Sequence, residues 1–451
     1  MDKGTTASTV TLKPDPAFDS GLPGGGIDLR PTRARVFPPP SPLAFTGWAN
    51  RFPLIVHCHL RWDFVWQRPQ QIFSRLAESH RVLFIEDPVL LDDAPAANTD
   101  AGGTLPRLEI SEPWPNVVRL VPMLPASLDT VDAQCTASLP LLREALRTHP
   151  LLAGHFEHPV QWFYSPMTAP ALLGKFGERG IVYDCMDELA NFRFAPTDIA
   201  QREQFLLKRA DVVFTGGYQL YTSKSRHHAN VHFHGCGVDT AHFGKARLPD
   251  TQVPASIANL PRPVLGYFGV IDERLDYTLI AALADRFPAA SVVMAGPLAK
   301  VDRDQLPSRP NLHWLGQQSY EALPALVKGF DVCLMPFALN EATRFINPTK
   351  TLEYMAAGKP VVSTAIADVV RNFTPVVEVA ESQPDFLRAV KRASRHPDAM
   401  LLAQGIERAQ ASSWTATVAD MRREIQNAVA TLHAAPAGRP VTETTLPAGA
   451  P

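Results

Sequence analysis

Cysteine is scarce in this chain of 451 residues: there are five, at Cys58, Cys135, Cys185, Cys236 and Cys333, widely scattered and without a CxxC pair. That pattern argues against a disulfide framework and a cysteine zinc site, and for a reducing compartment. Cys58, Cys185 and Cys333 sit in apolar runs and read as small core residues. Long hydrophobic runs are also missing, since none reaches the about 18 residues that a membrane-spanning helix needs. The N-terminus, MDKGTTASTVTLKPDP, lacks a basic region followed by an apolar core, so no secretory signal is expected. Excess charge of either sign is absent as well. With 43 Lys and Arg against 45 Asp and Glu, the net charge of -2 gives no general reason to expect nucleic acid as a partner.

What remains is the composition of a globular chain, 45% hydrophobic and 20% charged, long enough for two or three domains, with two the better fit. Residues 1–50 are rich in Pro, Gly, Ser and Thr and read as a disordered N-terminal segment, and residues 434–451 as a tail of the same kind. Between them short β-rich runs alternate with helical patterns. LIVHC, RVLFIE, QWFYS, IVYDC and DVVFTG read as strands in a first domain over 51–247. A polar, Pro-containing stretch over 248–262 reads as a linker. The alternation then restarts with VLGYFG, SVVMAG, NLHWLG, DVCLMP, PVVST and VVEVA in a second domain over 263–412. Both are α/β, each with a mostly parallel sheet covered by helices. A last amphipathic helix is expected over 413–433, with Val418, Met421, Ile425 and Val429 on one face. No GxGxxG follows the first strand of either domain, which argues against a dinucleotide oxidoreductase.

The stretch NPTKTLEYMAAGKPVV contains its own boundaries: Asn347 to cap, Pro348 for the first helical position, Gly358 for a left-handed stop, then a buried strand. It places Lys350 and Glu353 near a helix N-terminus, where an anion is favoured; an i,i+3 ion pair on a solvated face is the plainer alternative. In open parallel sheets ligands bind beyond the carboxyl ends of strands. There Gly269 permits close backbone approach, and Arg274 either clamps a phosphate or pairs with Asp272 or Glu273. Convergence of Gly, Arg, Lys and Glu on several strand ends describes a pocket for a phosphorylated, hydroxyl-bearing ligand.

GYFGVIDERLDYTLI, LEYMAAGKPVVST, and ADVVFTGGYQLYTSKS followed by HGCGVDTAHF together resemble the group 1 (family 4) glycosyltransferases of the GT-B fold. The PTKTLEYMAAGKP variant resembles a subgroup of bacterial surface-polysaccharide transferases. The resemblance implies two facing Rossmann-like domains, with the donor held mainly by the second, the acceptor by the first, and the terminal helix crossing back to the first domain. Carried over, Glu353 matches the residue that binds the donor ribose. Gly269, Arg274, Thr349 and Lys350 complete the donor set, with Arg274 and Lys350 as cations for the diphosphate. Two positions depart from the family pattern: Phe345 stands where many members have a second Glu, and Val270 where an Arg is usual.

In the first domain HLRWDFVWQRPQQIFSRLA resembles the opening of a bacterial subgroup, with Trp62, Asp63, Trp66 and Arg68 as cleft or acceptor residues or, alternatively, a structural aromatic cluster. VYDCMDELANF resembles the acceptor-side loop, with Asp187 the first catalytic candidate and Asp184 the second. Either carboxylate would orient an acceptor hydroxyl or take its proton. His57 and His59 share a strand face, and His227, His228, His232 and His234 cluster in sequence. No matching acidic or cysteine set accompanies them, so no metal is expected.

The implied activity is hexosyl transfer, with retention, from a nucleoside diphosphate sugar to a glycan or lipid-linked acceptor. It would proceed in the cytoplasm, without a cofactor, and belong to cell-surface polysaccharide synthesis; contact with the inner membrane face is left open. The alternatives are a nucleotide-sugar epimerase and a noncatalytic sugar-nucleotide or glycan-binding protein of the same fold.

Overall fold

The computed structural model describes residues 52–91 and 105–434. The expectations for 1–50 and for the tail beyond Ala434 lie outside them. Two sheets form two lobes. The first contains β1 (Leu54–Cys58), β2 (Val82–Glu86), β3 (Val89–Leu91), β4 (Arg107–Trp114), β5 (Val117–Pro125), β6 (Val160–Phe163), β7 (Gly180–Cys185), β8 (Val212–Thr215) and β9 (Val231–Phe233). Their order is β3-β5-β2-β1-β6-β7-β8-β9, and β4 runs antiparallel to β5. The second is parallel throughout, ordered β12-β11-β10-β13-β14-β15, from β10 (Val264–Phe268), β11 (Ser291–Ala295), β12 (Leu312–Gly316), β13 (Val332–Met335), β14 (Val361–Thr364) and β15 (Glu378–Ala380). The central strands β1, β10 and β11 are buried along their whole length, as strands covered by helices on both faces must be.

In both sheets the order reverses beside the first strand, next to β1 in one and β10 in the other. These are the switch points at which an open sheet presents a crevice. The lobes set those two crevices against each other.

The chain leaves the first lobe earlier than the sequence suggests. Val238, Phe243 and Ala246 already pack in the core of the second sheet. The polar stretch over 248–262 lies on that same lobe, with Ile257 buried in its core, so it does not bridge the two lobes. The crossing falls at Gly237–Val238, where the outgoing chain meets the returning one. Val238 N–H donates to the Ser412 carbonyl at 2.9 Å, and a Cβ on Gly237 would lie 2.6 Å from Trp414 N. Only glycine lets the two crossings touch.

The returning chain becomes the helix Trp414–Ala434. Trp414, Val418, Met421, Ile425 and Val429 are buried with Phe73, Trp162 and Phe214 of the first lobe, which is the expected crossover. Among the described residues no helix is long and apolar enough to cross a membrane.

Candidate functional site

The cleft between the lobes is lined by the carboxyl ends of strands from both sheets and encloses about 1160 Å³, its open mouth included. Gly269, Arg274, Thr349, Lys350 and Glu353 line it from the second lobe; Trp66, Arg68 and Asp187 line it from the first.

Lys350 and Glu353 reach the cleft because the helix Lys350–Ala356 begins where the long loop after β13 ends. Gly358, at φ +70°, stops the helix, and β14 follows. The start differs from expectation. Thr349 is already in the right-handed helical region and Asn347 does not cap. Its amide instead donates to the Gly216 carbonyl of the first lobe at 3.0 Å, so it ties the lobes together.

No ion pair joins Lys350 and Glu353 among the described residues, so the solvated-face alternative is not what the fold builds. Lys350 passes beside β10. A Cβ at Gly269 would fall 1.9 Å from Lys350 Cε, and the glycine itself sits at φ +142°. Close approach of a cation therefore requires the glycine. Burial pushes the Glu353 carboxyl up to about 7, only partly offset by Lys350. Burial also lowers the Lys350 ammonium, against the pull of Glu353.

Gly296, which the sequence reading did not single out, repeats the device. A Cβ there would lie 1.7 Å from the Gly269 carbonyl oxygen. Its signal was the same strand-then-glycine pattern that marks Gly269.

Arg274 pairs with Asp272: Nε donates to both carboxylate oxygens at 3.0 Å, and Nη2 to Oδ2 at 2.6 Å. It also lines the cleft, so the two alternatives for this residue hold together. Burial works against its charge, but Asp272 raises the guanidinium above its ordinary value. Asp276 caps the following helix, accepting from Leu279 N–H at 2.8 Å.

In the first lobe several placements correct the sequence reading. Asp184 does not line the cleft: it is fully buried and Arg68 holds both its oxygens, through Nε at 3.1 Å and Nη2 at 2.9 Å. A carboxylate so engaged is unavailable to an acceptor hydroxyl. Arg68 also donates through Nη1 to the His234 carbonyl at 2.9 Å, which fixes the loop after β9. Trp62 is buried edge-to-face against Phe84 and Trp66, with ring centroids 5.1 and 6.0 Å away. Asp63 is exposed and lies 3.5 Å from Arg119. These two belong to the structural alternative. Trp66 alone of that aromatic pair reaches the cleft, 5.9 Å from the Tyr320 ring of the second lobe.

Asp187 does line the cleft. Burial raises its carboxyl to about 6, against the lowering influence of Arg274, Arg68 and Lys300. The loop carrying it is rooted by Lys224, which pairs with Glu188 at 2.7 Å and Glu203 at 2.8 Å.

Among the histidines, His57 and His59 are both lowered to about 4 by burial. His57 bonds Gln161 at 2.9 Å. Among the described residues no group of three or more His, Cys, Asp or Glu side chains is arranged to hold a metal ion.

Phe345 does not line the cleft. It packs from the second lobe against the first-lobe cluster of Phe163, Tyr183 and Leu220. Glu341 is exposed and pairs with Arg344 at 3.5 Å, so it does not take the place of a Glu at position 345.

Two facing Rossmann-like lobes, joined by a double crossing and closed by a terminal helix that returns to the first, define the GT-B fold. Solved structures share it. A sucrose-phosphate synthase from Thermosynechococcus elongatus matches with a TM-score of 0.62 at 15% identity, over 84% of this chain and 100% of that one. The E. coli trehalose-6-phosphate structure bound with UDP-2-fluoro glucose matches at 0.60 and 13% identity, over 83% and 99%. At such identities the likeness carries the fold alone.

Sequence goes one step further. Residues 262–396 match the family model described as glycosyl transferases group 1. Over 251 residues the chain is 26% identical to the putative teichuronic acid biosynthesis glycosyltransferase TuaH of Bacillus subtilis (strain 168). That alignment spans 51% of this chain and 62% of the relative's length. The chain is thus a GT-B-fold protein related to the group 1 glycosyltransferases.

Proposed function

We propose that the protein transfers a hexose from a nucleoside diphosphate sugar to a glycan or lipid-linked acceptor, with retention, in the synthesis of a bacterial surface polysaccharide. The second lobe would hold the donor and the first the acceptor, in the cytoplasm. The observation that carries this reading is a cleft in which Lys350, packed against Gly269, and Glu353 from one lobe share the lining with Asp187 from the other.

Glu353 would accept from the paired ribose hydroxyls, and Lys350 and Arg274 would stabilise the departing diphosphate as its charge develops. With Val270 at the end of β10, a cation must come from elsewhere, and the Lys350 side chain lies against Gly269 next to it. Asp187, titrating near 6, is ionised at neutral pH and suited to orient an acceptor hydroxyl and take its proton. Closure around both substrates would exclude water and favour transfer over hydrolysis. The teichuronic acid relative supports an acceptor of the surface-polysaccharide class.

A thermal-shift screen against UDP, GDP, ADP, dTDP and CMP sugars tests the donor half, since a ligand that binds the native state raises its melting temperature. A shift for one donor, abolished in a folded Glu353→Ala variant, supports the reading. Release of an altered sugar nucleotide without acceptor would indicate an epimerase instead, and binding with neither transfer nor slow hydrolysis a noncatalytic protein.

A further inference from the structure

The loop that carries Asp187 continues across the cleft. Its root is fixed in the first lobe by the Lys224 pair with Glu188. Its far end is docked on the second lobe: Asn191 Nδ2 donates to the Glu341 carbonyl at 3.1 Å, and Arg193 N–H donates to Glu273 Oε1 at 3.1 Å. Between those two bonds lies Phe192, half-buried. Two second-lobe cations stand at its ring, Arg274 with Cζ 5.9 Å from the centroid and Lys300 with Nζ 5.4 Å away. Lys300 comes from the loop after β11 at φ +59°, a left-handed conformation that a lysine keeps only where its surroundings impose it. No carboxylate pairs with Lys300 among the described residues. Its aromatic neighbour is supplied by the opposite lobe.

We propose that Phe192 is a positioning residue for the transfer reaction, its ring holding Lys300 beside Arg274, which lines the cleft, when the lobes are closed. An aromatic face attracts cations through its quadrupole without neutralising them. A second carboxylate there, beside the Asp272 that Arg274 already engages, would leave the two cations no net charge to offer a diphosphate. Arg274 is thereby held from two sides, by Asp272 and by the ring, and no rearrangement is needed as the leaving group develops charge. Because the ring belongs to the first lobe, parting of the lobes withdraws it and loosens the grip on the product diphosphate. This assignment rests on the donor-site reading above.

The test uses Phe192→Ala, Phe192→Leu and Phe192→Tyr in the full chain. Donor affinity is measured by calorimetry with the nucleotide sugar identified in the screen. Amide exchange of residues 188–194 is measured without any ligand. Affinity should fall about tenfold in the Ala and Leu variants and stay within about twofold in Tyr, because only an aromatic face retains the attraction. Exchange over 188–194 should rise in Ala and Leu and remain protected in Tyr. A Leu variant equal to the wild type in both measurements would reduce Phe192 to apolar bulk and overturn the proposal. If the wild type binds none of the donors, the functional reading fails by itself, and the exchange series still decides the clasp: a rise confined to Ala and Leu supports it, and unchanged exchange overturns it.

Discussion

The two lobes treat charge differently where they meet the cleft. In the first lobe, Asp187 apart, it is consumed internally: Arg68 is locked to Asp184, Arg61 and Arg119 share Glu86, and Lys224 bridges Glu188 and Glu203. These pairs tie loops to strands. In the second lobe Lys350 and Glu353 lie close to each other without an ion pair, on a floor of glycines packed to contact, and burial shifts both against their charged forms. Buried charge left unpaired costs stability unless something repays it, and a ligand would do so. On the proposed reading, the first lobe spends most of its charge on holding its shape, and the second, the Arg274–Asp272 pair apart, keeps its charge for a polar guest.

The comparison can be broken in order of expected effect. Arg68→Met strands Asp184 as a buried, uncompensated carboxylate and should destabilise by about 3–5 kcal/mol in denaturant unfolding; adding Asp184→Leu should recover much of that loss. Glu353→Ala should behave in the opposite way, leaving stability undiminished while weakening donor binding by about 2–3 kcal/mol, the scale of hydrogen bonds to a charged group. Gly296→Ala should destabilise more than Gly316→Ala. Both glycines have positive φ, but a Cβ meets the Gly269 backbone only at 296 and open space at 316. The backbone adds to the difference, since Gly316 at φ +69° is in the left-handed helical range that other residues enter at modest cost, whereas Gly296 at φ +155° is not.

Other effects concern pH. Glu353 titrates near 7 in the folded protein and near 4.5 unfolded. The folded state therefore retains a proton that the unfolded chain loses, and stability should fall as pH rises through that window. Glu353→Gln should raise the melting temperature at pH 8 and change it little at pH 4. Donor affinity should decline below pH 7 in the wild type and lose that limb in the Gln variant. Under saturating donor, transfer should show a further acidic limb near 6, from protonation of Asp187.

The sequence was most legible where physics is local. Strands such as LIVHC and SVVMAG are buried on both faces and read as continuous apolar runs, and the helix stop at Gly358 is a single-residue signal. The β4–β5 hairpin was not legible. Its segments include Pro113, Pro122 and Pro125, which argue against strands; Pro113 falls at a register irregularity of β4, which pairs only with β5, Pro122 falls between the stretches of β5 that pair with β2 and with β3, and Pro125 ends the strand. Site residues divided along the same line. Gly269, Lys350 and Glu353 were placed at the cleft because strand-end and helix-start patterns mark them. The fate of Asp184 was hidden because Arg68 lies 116 residues away in sequence, and the Asn347 bond to Gly216 spans 131. No local pattern records a partner that the fold supplies.

The central claim is a division of labour, with donor binding in the second lobe and acceptor chemistry in the first. Its most direct test compares Glu353→Ala with Asp187→Asn, measuring donor dissociation constant and transfer rate at saturating donor in both. The account predicts that Glu353→Ala loses donor affinity, whereas Asp187→Asn binds donor like the wild type and loses transfer. Equal loss of donor affinity in the two variants, or unimpaired transfer in Asp187→Asn, would contradict it.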